Sequence, residues 1–225
     1  IWYKDGNTSQ FPYTNVKIEA YRSIFPAQRT AKVTFMGSGV PDRIVTYKFM
    51  SAYFHEVEFE FDYEQGITPV TEIDTHAHPN RPASLPKETL SIETVFQRSG
   101  FAVTVSRGGN MIPGLPPGPE KQWSDNEMHD AMQAHWSRFA DRPQWALWTF
   151  FASQHEMGSS LGGIMFDDIG PNHRQGTALF YNSFISNPPA NDPAPAAWVQ
   201  RMRFWTAVHE MGHAFNLAHS WQKQL

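Results

Sequence analysis

The sequence predicts an α+β fold, and three observations carry that reading. A run of eight residues, 55–62, alternates apolar and charged side chains almost without a break. A capping signature at Ser124–Glu127 opens an amphipathic helix. A long helical pattern closes the chain after a Pro-rich connector.

Taken in order, the first part reads as β. Segments 16–22, 30–36 and 43–50 alternate apolar and polar residues, with turn chemistry at Gly37-Ser38-Gly39 and Pro41-Asp42. About fifty residues make a thin independent core, so 1–52 is expected to be a β-rich segment beside a main domain over 53–225. In the strand at 55–62, Val57, Phe59 and Phe61 share a face. Ser91 can cap a short helix whose Ile92, Val95 and Phe96 face one way, with Gly100 suited to its end. A strand at 101–106 follows. Residues 107–123 hold four Gly and four Pro and read as a long surface loop. Behind the capping box, Met128, Ala131, Met132, His135, Trp136 and Phe139 recur at helical spacing, giving a helix over 125–140. Strands are expected at 145–153, 161–166 and 177–184, and a last helix at 196–215 with Val199, Met202, Trp205 and Val208 as its stripe. Trp123, Trp136, Trp145, Trp148 and Trp205 read mostly as core packing.

Composition narrows the function. Of 225 residues, 40% are hydrophobic and 17 are Phe, which excludes a disordered polymer and implies a sizeable core. No run of 18 or more apolar residues occurs, so no helical membrane span is expected. A net charge of −4 leaves no electrostatic footprint for nucleic acid or an anionic membrane. Cysteine is absent, which removes disulfides, thiolate metal sites and cysteine nucleophiles together. Ten histidines remain as the place to look for metal chemistry. The sequence starts at Ile1, which reads as a processed chain whose targeting segment is out of view.

That chemistry is concentrated at the end of the last helix, in His209-Glu210-Met211-Gly212-His213, with His219 six residues on. Histidines at i and i+4 share a helix face and can converge on one ion. His219 joins them only if the helix stops and the chain turns back. A continued helix would carry it around 9 Å further along the axis. Asn216 is the candidate breaker, because Asn tolerates the left-handed conformation. Glu210, beside the first ligand, is placed to take a proton from metal-bound water. The partial copy His155-Glu156-Met157-Gly158 has Ser at 159 and no helical flanks, and reads as coincidence.

This pattern resembles the metzincin clan of zinc metalloendopeptidases, whose signature is H-E-x-x-H-x-x-G-x-x-H. The resemblance implies His209, His213 and His219 as Zn²⁺ ligands, Glu210 as general base, and a peptide or protein substrate. It also implies a zincin-type catalytic domain: a mixed, mostly parallel twisted sheet with an active-site helix, covering about 55–225 and with 125–140 as an insertion. By the same likeness, the edge strand at 161–166 would hold an extended peptide. Two departures stand out. Asn216 occupies the position of the family's Gly, and the family's Met-containing turn has no counterpart in the six residues after His219, so the resemblance implies a longer parent chain. Secretion, of a bacterial type without disulfides, is the expected location.

Other candidates are weaker. His76-Ala77-His78 reads first as a plain polar loop in a Pro-rich stretch; it could bind an accessory metal or resemble an amidohydrolase centre, but such a barrel takes about 250 residues and fewer than 150 follow. Asp167-Asp168 could bind calcium, or form a solvated turn. The alternatives to an endopeptidase are a zinc-binding but inactive adhesion module and a zinc hydrolase of another type, with a downstream Glu as third ligand.

Overall fold

The computed structural model describes residues 12–25, 27–106, 111–114, 122–139, 145–167 and 175–219. The chain divides into two compact units, Ile1–Ala52 and Tyr53–Leu225.

The first unit is a three-stranded antiparallel meander: β1 (Asn15–Ser23), β2 (Gln28–Gly37) and β3 (Val40–Lys48). Its register pairs Val16 with Phe35, Ile18 with Val33, and Val33 with Val45, which puts these five on one face. Gly39 turns the second hairpin with φ 77°. Pro41-Asp42 lies inside β3 and does not form a turn. Pro is tolerated there because β3 is an edge strand that need not donate on its open side.

The second unit is built on a six-stranded sheet. Its elements are β4 (His55–Glu64), β7 (Phe101–Val105), β8 (Met111–Ile112), β9 (Ala146–Ala152), β10 (Gly163–Asp167) and β11 (Gln175–Phe180). The order is β10-β11-β9-β4-β7, with β8 beside the end of β4. Every pairing is parallel except β10 with β11, so the sheet is mixed and mostly parallel. A short antiparallel pair, β5 (Glu72–Asp74) with β6 (Thr89–Ser91), lies outside it.

Helices cover both faces. On one side α1 (Ile92–Arg98) and α3 (Pro195–Ala214) bury Ile92, Phe96, Phe204, Ala207 and Met211 against Val57, Phe59 and Phe61. On the other α2 (Asp125–His135) buries Met128, Ala131 and Met132 against Trp148, Phe150 and Phe180. The caps are those the sequence specifies. Ser91 accepts from Thr94 N–H at the start of α1, Ser124 and Glu127 close a capping box on α2, and Gly100 follows α1 at φ 96°.

Alternation alone describes a strand with one wet face, but both faces of β4 are covered. Glu60 and Asp62 are buried and each has dedicated donors. Glu60 accepts from Ser106 Oγ (2.9 Å), Ser137 N–H (2.9 Å) and Ser137 Oγ; Asp62 accepts from Trp148 Nε1 (2.8 Å). Glu64 accepts from Trp123 Nε1 at 3.0 Å, and Glu58 pairs through both oxygens with Arg138. This row of carboxylates fastens α2 and its flanking loops to the sheet, because removing one would leave several buried donors unpaired.

Several expectations are corrected. Residues 107–123 are not wholly a surface loop: β8 pairs with β4 and Trp123 is buried, its indole held by Glu64. Helix α2 stops at His135 and not at 140, where Trp136 turns to extended backbone so that its ring can enter the core. Trp145 and Trp205 are exposed and not core residues. The stripe of α3 is rotated from that expected: Phe204, Ala207 and Met211 are buried, whereas Met202 and Val208 are only partly covered. A strict spacing of three drifts around a helix of 3.6 residues per turn, which explains the error. No helix among the described residues is long and apolar enough to cross a membrane.

Candidate metal centre

Helix α3 runs 20 residues from Pro195, suited to a first helical turn because it lacks an N–H that would go unused there. Its last turn carries His209 and His213 on one side. The helix ends in a Schellman motif. Leu217 N–H donates to Gly212 O at 3.1 Å, Asn216 N–H donates to His213 O at 2.8 Å, and Asn216 takes φ 60°. The Leu217 side chain lies over Gly212, where an added Cβ would meet Leu217 Cδ1 at 3.5 Å. One residue in the left-handed region thus reverses the chain and returns His219 to its helical partners.

The three Nε2 atoms meet at one point: 3.1 Å for His209 to His213, and 3.2 Å for each of these to His219. Three ring nitrogens directed at each other cannot satisfy one another as donors and acceptors. Zinc held at about 2.0–2.1 Å in a tetrahedron would separate its nitrogen ligands by about 3.3–3.4 Å. The triad fits such an ion within a few tenths of an ångström. His213 Nδ1 lies 2.7 Å from Leu217 O. A carbonyl only accepts, so Nδ1 carries the proton and Nε2 presents a lone pair. Burial, then the neighbouring His213 and His219, hold His209 below the usual imidazole value and favour its neutral, ligating form. Among the described residues this is the single group of three or more His, Asp or Glu side chains close enough to share an ion.

Glu210 points from the same helix toward β10. It is buried, and burial pushes its carboxyl up to about 7, with His213 acting in the opposite direction. Its nearest constraint is Gly163: a Cβ there would sit 2.7 Å from Glu210 Cγ and 3.0 Å from Oε1. The glycine lets the edge strand pass directly over the acid. An open cleft of about 490 Å³ results, floored by His209, Glu210, His213 and His219 and walled by Gly163, Ile164 and Met165 of β10.

Two contributors escape motif reasoning. Gly163 follows Gly162 at the start of a strand, and glycine in a strand signals close backbone approach. Phe215, at the C-cap, stacks among Phe96, Phe101 and Trp145, with ring centroids 5.0–6.0 Å away. It anchors the reversal in the core, and its signal is a large aromatic immediately before the turn residue.

The remaining candidates stay apart. His76 Nε2 is 2.8 Å from Leu85 O. His78 accepts from Asn80 N–H at Nδ1 and so donates from Nε2 to Asp192 at 3.0 Å, which ties the loop after β5 to the entry of α3. Both rings are engaged by the polypeptide. His155 is buried, held between Met157 N–H and Asp125. Asp168 lies outside the described residues, and Asp167 alone makes no cluster.

Comparison of the chain with family models, curated proteins and solved structures gave no match.

Proposed function

We propose that the protein is a zinc-dependent endopeptidase with a metzincin-like catalytic unit. The observation that carries the reading is the convergence of three Nε2 atoms within 3.2 Å beside a buried glutamate in an open cleft. A zinc ion held by His209, His213 and His219 would supply Lewis acidity toward a carbonyl oxygen and lower the pKa of water toward neutrality.

The chain's own residues account for the remainder. Glu210 is the proton carrier: its Oε1 accepts a proton from the attacking water and returns it to the departing amine, a task for which a pKa near neutrality is suited. Strand β10 ends the sheet, so its outer backbone N–H and C=O groups are open to an extended peptide by strand addition. Such a peptide would run along the wall of the cleft that contains Glu210, which supports a peptide substrate over a small molecule.

Metal analysis together with cleavage of unfolded casein, with and without chelator, tests this. The expected result is about one zinc per chain and chelator-sensitive cleavage. Glu210→Ala should keep the zinc and lose at least about 10²-fold in rate, whereas His219→Ala should lose metal. Full activity in Glu210→Ala would overturn the assignment. Zinc without cleavage would favour an inactive binding module.

A further inference from the structure

The net charge of −4 conceals two oppositely charged parts. Residues 1–52 hold seven Lys and Arg against three Asp and Glu, a net of +4, so the other 173 residues carry −8. In the first unit β1 ends, β2 begins and β3 ends at the same edge, so the β1–β2 turn and the residues after β3 lie together. Here Ile24 and Phe25 at the turn are 85% and 94% exposed, and Met50 after β3 is 89% exposed. Large apolar side chains at a hairpin tip oppose solubility unless something covers them.

Behind this apolar tip is a collar of positive charge. Arg22 and Arg29 are directly opposite each other in the β1–β2 register, a like-charge pair that weakens a hairpin. Lys48 ends β3 opposite Thr30, and Arg29 lies 5.0 Å above the half-exposed Phe49 ring. No acid among the described residues of this unit offsets them. Among the described residues of this unit, Glu19 is ion-paired with Lys17 at 3.0 Å and Asp42 is at the far end of β3. A second small cleft of about 420 Å³ between turn and strand ends is lined by these same residues.

We propose that this end of the N-terminal unit docks on an anionic lipid bilayer, with Ile24, Phe25 and Met50 entering the headgroup–acyl boundary and Arg22, Arg29 and Lys48 on the lipid phosphates. The charge complements an anionic surface, and the apolar tip selects among anionic surfaces. Phe25 could stack on a base, but Ile24 and Met50 beside it have no aromatic ring to do so, whereas all three gain free energy in a lipid interface. The inference is independent of the metal centre, since none of these residues lies in the second unit.

The test is co-sedimentation of the full chain with vesicles of phosphatidylcholine alone, or of phosphatidylcholine with about a third phosphatidylglycerol. The expected result is strong partitioning to the mixed vesicles only. It should weaken as salt rises from about 0.1 M to about 1 M and the screening length falls from about 10 Å to about 3 Å. Arg22→Gln with Arg29→Gln should lower the partition coefficient roughly 25-fold, about fivefold per charge. Ile24→Ser with Phe25→Ser should lower it comparably. Both pairs are exposed, and folding of each variant is checked by circular dichroism. Absence of binding, or binding that both double variants retain, overturns the proposal. So does equal binding to heparin or duplex DNA that ignores the tip variant, which would mark a simple polyanion site. Self-association in sedimentation velocity, abolished by the tip variant and without vesicle binding, would assign the surface to a second copy.

Discussion

Gly163 decides where Glu210 can hold its carboxylate. The strand crosses the helix so closely that one added methyl would meet Glu210 Cγ at 2.7 Å and Thr206 Cγ2 at 2.9 Å, distances no real Cβ sustains. Either the strand or the glutamate must yield. A strand is tied by its ladder to β11, while the glutamate is a side chain with rotamers, so the glutamate moves. The atoms nearest to that methyl belong to Glu210 and Thr206 and none to a histidine, so the three histidines should keep their places. Gly163→Ala is therefore expected to retain zinc at wild-type stoichiometry while losing about 10²-fold in kcat, the cost of a misplacement of about 1 Å. Stopped-time casein assays beside metal analysis read both quantities. Wild-type kcat in this variant would show that the acid does not depend on the glycine.

At the scale of the element, the site is a helix end. His209 and His213 are fixed by helical geometry, but His219 is fixed by the reversal at Asn216. Asn216→Gly should keep metal affinity, because glycine enters the left-handed region freely. Asn216→Ala should lose roughly tenfold, the equivalent of the 1–2 kcal/mol that an ordinary L-residue meets there. Competition with a chromogenic chelator measures this; equal affinity for the two variants would contradict a ligand set held by the turn. The helix, its motif and this breaker were all legible in sequence, because spacing and local conformational preference are properties of short segments. The same holds for β4, α1 and the capping box of α2. What could not be read depends on partners distant in the chain. The carboxylates of β4 look like a solvated face until Trp123, Ser137 and Trp148 arrive from elsewhere to bond them. Trp145 looks like core but is half exposed, flanked by His55 and Phe215. Strands β5, β6 and β8 have two or three residues each, too few for periodicity to register.

For the whole molecule, the two units differ in how they are stabilised. Both buried hydrophobic clusters lie between Val57 and Met211, whereas in the first unit Thr34 is the one residue among those described that is buried. Three strands with a single apolar face are about the minimum for a sheet that holds itself together. The three histidines of the candidate metal centre all belong to the second unit. An ion that binds only the folded state stabilises only the unit whose folding creates the site, and at a hundred times its dissociation constant it adds about 2.7 kcal/mol. For a unit of this size that is a rise of roughly 5–10 °C in Tm. Calorimetry of the full chain should therefore show two transitions. The smaller, from the N-terminal sheet, should be unmoved by zinc, and the larger should rise. Glu210→Ala should reproduce the rise, since it leaves the ligands intact, and His209→Ala should abolish it. A single transition that zinc shifts as a whole would mean that the two units fold as one, and that the N-terminal sheet draws its stability from the second unit.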